Sequence, residues 1–309
     1  MSEDTKADGH GTGHIVQSLL VNVAIAAIKT AAALITGSGA MLAEALHSFS
    51  DTGNQILLLV GVRQAKRSPD ALHPFGYGRA LYFWSFLVAL MLFLGGGVFS
   101  IYEGLHKWSH PEPVEKPLIG LSVLLISFVL EGSAVLSNLR DMKKRRREKS
   151  LWNYLRDTKD SDLVVVFGEN AAAVFGLALA GIALGLAWQT GDGRWDAAGC
   201  VGVGVVLVLV AAFLAIEIHS LLLGESADSE LIKGVERHAH LFPDVLRVIH
   251  VRAVQQGPGE VLVAVKLAFA PELGSVALCT LINDFEASLR GEYPEVRYCF
   301  VEPGFLDMP

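Results

Sequence analysis

The sequence predicts a membrane protein with six transmembrane α-helices followed by a small cytosolic α+β domain. Apolar residues fill 52% of the 309 positions and charged residues only 18%, a balance too apolar for an ordinary soluble domain. Apolar runs of helix length recur six times, and alternating strand patterns begin only after the sixth run.

The six runs are long enough to cross a bilayer, which takes about 20 residues of helix. They cover approximately residues 15–36, 40–62, 80–104, 117–138, 162–187 and 195–218. A tight Gly-Ser-Gly hairpin joins the first two runs. The third contains Gly95–Gly97, which predicts a bend or the close approach of another helix. Small residues recur along the fifth run and predict a packing face there.

Lysine and arginine are concentrated in the loops of one side. The connection 139–161 holds nine basic residues and the connection 63–79 holds four, whereas the opposite loops hold none, two and one. Because basic loops stay in the cytoplasm, both termini are predicted to be cytoplasmic. Two spans closely flank the longest basic run, so we expect anionic lipid beside it and no nucleic-acid partner.

The chain divides by composition into three parts. Residues 1–13 are polar and glycine-rich and are predicted to form a disordered cytosolic tail, 14–223 the membrane domain and 224–309 the cytosolic domain. The first residues resemble neither a cleavable signal nor an arginine-rich transit peptide, which favours a bacterial inner membrane. The three cysteines form no CxxC pair and suggest no disulfide framework.

The last 85 residues or so change to an αββαβ pattern. A helical pattern at 228–240 precedes two alternating stretches, 245–256 and 260–270, which flank a Gly-Pro-Gly turn. An amphipathic segment at 276–293 and a strand at 296–303 follow. This order predicts a ferredoxin-like sandwich with its helices on one face of the sheet. His238 and His240, two apart on the first of these helices, are expected to be solvated.

His47 and Asp51 are the most informative residues of the membrane part. They lie four apart in the second apolar run, so a helix places them on one face. A carboxylate in the bilayer costs at least ~2.5–3.5 kcal/mol and usually faces an interior pathway. An imidazole and a carboxylate also form a natural half-site for a divalent cation. The alternative is a polar pair that hydrogen-bonds to a neighbouring helix.

Other polar residues are embedded in the predicted spans. Asn54, one helical turn further along, is a candidate fourth ligand or hydrogen-bond partner. Glu131 and Glu103 are candidates for a proton relay or a second binding point. Lys29 is predicted to pair with one of these carboxylates or with Glu44, and for all of them a structural role in helix packing is the alternative.

Several stretches together resemble the cation diffusion facilitator family, and in particular the member-nine branch of the solute-carrier-30 zinc transporters. They are AEALHSFSDTGNQ, PDALHPFGYG, GENAAAVFG and LLLGES, combined with six spans and the αββαβ tail. The resemblance covers nearly the whole chain after the first dozen residues. It implies a homodimeric antiporter that exports a divalent metal cation, usually zinc, from the cytoplasm in exchange for protons. No Walker, GxSxG or HExxH motif is present, so no enzyme is predicted.

The resemblance also implies a transport site between spans two and five, and span five departs from the family pattern. With Gly176 aligned to the family's glycine, Asn170 occupies the place of the usual acid and Val166 that of the usual first ligand. Glu169 is the only acid within that apolar stretch, but consecutive helical residues point about 100° apart. Whether Glu169 or Asn170 is the ligand stays open, and the predicted metal site comprises His47, Asp51, Glu169 and Asn170.

Two accessory sites of the family are incomplete. In the loop between spans two and three, Asp70 and His73 match but Tyr77 replaces the last ligand. This leaves at most a weak site, and the alternative is that Asp70 caps a turn while Arg79 anchors the loop. In the tail, His250 and Glu302 match, but Lys266 and Phe300 stand where ligands would be, so the dinuclear site of some relatives is predicted to be absent.

The sequence leaves several alternatives open. No resident cofactor is predicted, and the metal is the cargo. Zinc is the first choice, but a mixed nitrogen and oxygen donor set also suits manganese, iron(II) or cobalt. The departure at Val166 and the depleted tail also permit a non-transporting regulatory or scaffold paralogue.

Overall fold

The structure, a computed structural model, describes residues 22–145, 150–158 and 161–305. The described residues form two compact units. The first unit comprises the described residues up to Val60 together with Trp84–Tyr154 and Asp162–Glu217. The second comprises Gly61–Phe83, Leu155–Ser161 and the described residues from Ile218 onward. The predicted tail 1–13 and the start of the first span lie outside the described residues.

Helices lie at all six predicted span positions. In chain order they are α1 (Asn22–Thr36), α2 (Gly39–Ala65), α3 (Ala80–Met91), a π-helix (Leu92–Val98), α4 (Phe99–Ser109), α5 (Pro117–Arg145), α6 (Leu151–Asp157), α7 (Ser161–Thr190) and α8 (Arg194–Leu223). The third predicted span is therefore one continuous helical segment made of α3, the π-helix and α4.

Within the described residues, four helical segments are both long and apolar enough to cross a membrane: Ala80–Ser109, Pro117–Lys144, Leu163–Thr190 and Arg194–Leu223. Helix α1 is shorter over its described residues. Helix α2 has 27 residues, enough for a span, but it carries more polar side chains. A multispan membrane protein is confirmed, and the number of six spans stays a prediction.

Small residues let α8 approach the third helical segment closely. A Cβ atom added at Gly97 would lie 2.6 Å from Cγ2 of Val208, and one added at Gly104 would lie 2.6 Å from Cγ2 of Val201. Real Cβ atoms do not come so near, so only glycine fits at these two positions. The glycine run therefore allows the predicted close approach, and it lies within the π-helix, which locally widens the helical turn.

The tail has the predicted αββαβ order. Its elements are α9 (Ser229–Ala239), β1 (Val245–Gly257), β2 (Glu260–Phe269), α10 (Ser275–Glu292) and β3 (Val296–Gly304). The sheet order is β1-β2-β3, with β1 antiparallel and β3 parallel to β2. Apolar side chains from all five elements form one core. The boundary at residue 224 stays a prediction, because the compact unit also takes in Gly61–Phe83.

His238 corrects one expectation about the tail. It is 3% exposed, and its ring packs beside Phe242 and Phe285. Oε2 of Glu292 accepts a hydrogen bond from Nδ1 of His238 at 2.6 Å, which holds the pKa of Glu292 below its ordinary value. The prediction of a solvated His238 is wrong because α9 turns this face into the core. His240 is exposed, as expected.

Candidate metal site in the membrane helices

Helix α2 places His47 and Asp51 on one face, as the spacing predicts. Nδ1 of His47 lies 3.4 Å from Oδ1 of Asp51. The His47 side chain is fully buried and that of Asp51 is 22% exposed. Among the described residues, neither ring nitrogen of His47 nor Oδ1 of Asp51 has a hydrogen-bond partner. Two side chains able to bind a cation thus converge without a protein partner that would satisfy these atoms.

A cavity of about 270 Å³ lies between α1, α2, α5 and α7. Asp51, Glu169 and Asn170 all line it, together with Glu131 of α5. Three of the four predicted ligands therefore share one cavity. His47 is not among its lining residues and lies beside Asp51. Val166 also lines the cavity, so the position of the usual first ligand of span five provides no donor atom.

Glu169 is held by Asn54 across the interface of α2 and α7. Nδ2 of Asn54 donates a hydrogen bond to Oε1 of Glu169 at 2.5 Å, and both side chains are buried. Of the two roles predicted for Asn54, the structure therefore shows the hydrogen-bond partner. Glu169 and Asn170 both reach the cavity although they are consecutive on α7, so the choice of ligand between them stays open.

The predicted ligands are not drawn together into a closed shell. Across residues 22–145, 150–158 and 161–305, no three His, Cys, Asp or Glu side chains are arranged to hold a metal ion. Binding with both Asp51 and Glu169 would need their side chains to converge within the cavity.

Gln55 is a cavity residue that the sequence analysis missed. It lines the cavity and its Oε1 has no hydrogen-bond partner within the described part of the chain. Its position in the sequence could have predicted this, because Gln55 follows Asp51 by four residues and so continues the line of His47 and Asp51 along one face of α2.

Lys29 pairs with a buried carboxylate, as predicted, but it contacts two of them and not one. Its Nζ lies 3.2 Å from Oε2 of Glu44 and 2.8 Å from Oε1 of Glu131. Lys29 and Glu44 have fully buried side chains, whereas that of Glu131 is 17% exposed. Glu131 thus belongs both to this ionic cluster and to the cavity wall.

The loop between α2 and α3 uses Asp70 as a turn cap. Oδ1 of Asp70 accepts hydrogen bonds from the backbone N–H groups of Leu72 and His73, at 2.9 and 2.8 Å, and Oδ2 accepts one of 2.6 Å from the Tyr77 hydroxyl. The Tyr77 hydroxyl and these N–H groups lower the pKa of Asp70. Both carboxylate oxygens are therefore already engaged within the loop.

Arg79 lies against the start of the tail, as expected of a loop anchor. A Cβ atom at Gly224 would lie 3.1 Å from Nη2 of Arg79, and Gly224 has a φ of +101°. Glycine at this position therefore satisfies both the backbone conformation and the close approach of the guanidinium.

In the tail, a salt bridge occupies the place of the accessory metal ligands. His250, Lys266 and Glu302 are register partners across the three strands. Nζ of Lys266 lies 2.9 Å from Oε1 of Glu302, and this ammonium group lowers the pKa of Glu302. The carboxylate that matches the family pattern is thus paired with a protein cation.

Comparison with known proteins identifies the class of protein to which this chain belongs. Residues 15–223 match the cation efflux transmembrane domain. The chain belongs to the cation efflux family of multispan membrane proteins, which confirms the resemblance seen in the sequence. The members named below are transporters, in agreement with the prediction that the chain is not an enzyme.

The relatives include the proton-coupled zinc antiporter SLC30A9, mitochondrial, which supports the predicted member-nine branch. The protein of Homo sapiens is 33% identical over 254 residues, covering 81% of this chain and 45% of the relative; that of Xenopus laevis is 33% identical over 249 residues, covering 80% and 44%. The chain thus spans about half the length of these relatives. The cation-efflux pump FieF of Klebsiella pneumoniae is 25% identical over 288 residues, covering 89% of this chain and 90% of the relative.

Proposed function

We propose that this protein is a proton-coupled antiporter that exports divalent metal cations, zinc first among them, from the cytoplasm. The observation that carries the proposal is the cavity between the helices, which Asp51 and Glu169 both line. Carboxylates at membrane depth are costly unless they serve a polar pathway, and a divalent cation is the ligand whose charge two of them balance. The relatives' names, proton-coupled zinc antiporter and cation-efflux pump, support the same activity.

Coupling to protons follows from the chemistry of the proposed ligands His47, Asp51, Glu169 and Asn170. Metal binds only to neutral imidazole and to ionised carboxylate, so protons and metal compete for the same atoms. Loading takes place on the cytosolic side. Opening to a more acidic side protonates the ligands and releases the ion, because an unperturbed imidazole titrates at about pH 6.5.

The assembly belongs to the same proposal. We place six spans in the membrane, with both termini and the basic loops in the cytoplasm, and two copies in a homodimer, as the family resemblance implies. The bacterial inner membrane stays the predicted location.

A manganese, iron(II) or cobalt transporter is the second candidate function. It is favoured by the cavity lining, in which Asp51, Gln55, Glu131, Glu169 and Asn170 all offer oxygen atoms, the donors that harder cations prefer. His47 is the one nitrogen donor among the proposed ligands. The third candidate, a non-transporting scaffold, is motivated by Val166, which brings no ligand into the cavity.

Metal uptake into proteoliposomes tests these candidates. The purified protein would be reconstituted with a metal-sensitive dye, and Zn²⁺, Mn²⁺, Fe²⁺ and Co²⁺ would be compared with and without a pH gradient. We expect zinc flux that the gradient accelerates, abolished in His47→Ala and Asp51→Ala but kept in His106→Ala, which removes an exposed histidine of α4. An inactive wild-type protein with all four ions would support the scaffold, and full activity of both site variants would overturn the site.

A further inference from the structure

Glu131 lines the proposed transport cavity but is not one of its four proposed ligands. Glu131 lines the same cavity as Asp51 and Glu169, and its Oε1 lies 2.8 Å from the ammonium group of Lys29. Glu131 therefore contacts the ammonium group of Lys29 and also borders the cavity that a transported cation would enter.

The charge of this cluster is unbalanced. Lys29 brings one positive charge and faces two carboxylates, Glu44 at 3.2 Å and Glu131 at 2.8 Å. With all three groups ionised, one negative charge is left over in surroundings of low dielectric constant, where uncompensated charge is costly. A further cation in the cavity would relieve that excess.

Only one of the two carboxylates can meet a cation in the cavity. Glu44 is fully buried, and a Cβ atom at Gly176 would lie 2.5 Å from its Oε1, so α7 packs directly against it. Glu44 is not among the cavity-lining residues. Glu131 is partly exposed and lines the cavity together with the acids of α2 and α7.

A second observation concerns buried polar atoms of α2 at and beside this cavity. The His47 side chain is fully buried, and neither of its ring nitrogens has a hydrogen-bond partner among the described residues. Its Nδ1 lies 3.4 Å from Asp51 Oδ1, which also lacks a partner there, and Asp51 lines the cavity. Buried polar atoms are normally satisfied, so these atoms indicate a partner that the protein itself does not provide.

We propose that Glu131 is a further metal-contact residue of the transport cavity, and that Lys29 competes with the metal ion for its carboxylate. The inference rests on the proposed function. Without metal, Glu131 and Glu44 share the ammonium group of Lys29, and this contact holds the carboxylate of Glu131. A divalent cation that enters the cavity shares or takes over this carboxylate, and Lys29 then keeps Glu44 as its partner.

The first test is Glu131→Gln, which leaves Lys29 paired one to one with Glu44. The measurement is the Kd for Zn²⁺ of the full-length protein in lipid nanodiscs, after subtraction of the binding that survives in Asp51→Asn. We expect a Kd raised about tenfold, which is typical for groups that support a metal site, with an unchanged melting temperature. A Kd within about twofold of wild type, in correctly folded protein, would overturn the proposal.

The second test removes the competitor. Lys29→Met/Glu44→Gln deletes the ammonium group together with its other partner, so no unpaired carboxylate is left at position 44 and only Glu131 keeps its charge. If Lys29 competes with the metal, this variant should bind Zn²⁺ about threefold more tightly than wild type. Adding Glu131→Gln should cancel the gain. A purely structural cluster predicts weaker folding and no gain in affinity, and equal affinity of the double and triple variants would contradict the proposal.

Binding and flux separate this proposal from the proposed function. If wild-type proteoliposomes carry no metal but Glu131→Gln weakens Zn²⁺ binding, transport fails and the role of Glu131 in cation binding stands. If flux is normal and Glu131→Gln changes neither the Kd nor the KM for Zn²⁺, transport stands and the role of Glu131 is wrong. If Lys29→Met/Glu44→Gln does not fold, the result for Glu131→Gln alone decides.

Discussion

Nδ2 of Asn54 donates a 2.5 Å hydrogen bond to Oε1 of Glu169, and this bond joins α2 to α7 beside the cavity. Both side chains are buried. The hydrogen bond from the amide occupies one of the two carboxylate oxygens of Glu169. Asn54 lies three residues after Asp51 on α2, and Glu169 lines the same cavity as Asp51. The amide therefore orients an acid of α7 with respect to an acid of α2.

Replacing Asn54 should misplace Glu169 without removing any proposed ligand. Asn54→Leu keeps the branched shape of the side chain but has no N–H group, so we expect metal affinity to fall at least about tenfold, as for other groups that orient ligands. The measurement is the KM for Zn²⁺ in proteoliposomes. Thr52→Val is the matched control, because the Thr52 hydroxyl donates its hydrogen bond within α2, to the Ser48 carbonyl. An unchanged KM in Asn54→Leu would remove the positioning role.

Span five should depend on the charge of Glu169 more than on the amide of Asn170. A neutral His47 and one carboxylate leave a bound dication with one uncompensated positive charge, which is costly at dielectric constants below that of water. Glu169→Gln should therefore abolish zinc flux, whereas Asn170→Asp should retain flux and lower the Kd for Zn²⁺. The measurements are proteoliposome uptake and equilibrium zinc binding.

The opposite pattern of activity would assign the metal ligand of α7 to Asn170 and not to Glu169. An active Glu169→Gln protein together with an inactive Asn170→Ala protein would transfer the role to Asn170. The second acid would then be Glu131, which lines the same cavity.

Much of the fold could be predicted from the sequence because long apolar runs and strict alternation are strong local signals. All six predicted span positions are helical, and the tail has the predicted order. The pairing of Lys29 was also predictable, because a lysine at membrane depth needs a carboxylate. That it contacts both Glu44 and Glu131 depends on the rotation of three helices, which no local pattern records.

The errors in the prediction concern which face of a helix is buried. Leu231, Val235 and His238 are spaced as neighbours on one helical face, and all three are buried. The spacing was visible, but the polarity of histidine outweighed it in the sequence analysis. Likewise, Gln55 continues the line of His47 and Asp51 at a spacing of four residues. Periodicity was thus a better guide at both positions than residue type.

The loop between α2 and α3 should become a better metal site if Tyr77 is replaced by a ligand. Tyr77→His removes the hydroxyl from Oδ2 of Asp70 and adds an imidazole near His73, whose ring centroid lies 4.2 Å from that of Tyr77. We expect one additional zinc ion per chain by calorimetry. Tyr77→Phe is the control, because it frees the carboxylate oxygen without adding a ligand. Equal stoichiometry in both variants would count against this geometry.

The same hydroxyl should set the acid stability of this loop. It is the largest of the interactions that lower the pKa of Asp70 in the folded protein. The stabilisation is therefore fully present above the ordinary carboxyl pKa of about 4 and is lost as the pH falls through the lowered pKa. In Tyr77→Phe the pKa rises, so the loop should open at a higher pH than in wild type. Pepsin cleavage at the exposed Leu72 across acidic pH measures this, with Asp70→Asn as the control that should show no such pH dependence.

The last prediction concerns the row of His250, Lys266 and Glu302 across the tail sheet. A protonated lysine cannot bind a metal ion, and here it also engages the carboxylate of Glu302. Lys266→His should release that carboxylate and place a second imidazole between it and His250, which gives three donors of the type that zinc prefers. We expect the full-length variant to bind one more zinc ion than wild type, and the added ion to raise its melting temperature. Lys266→Ala, which frees Glu302 without adding a ligand, should gain neither. A gain of the same size in Lys266→Ala would mean that Glu302 and His250 suffice, and no gain in Lys266→His would show that the strand register does not bring the three side chains together.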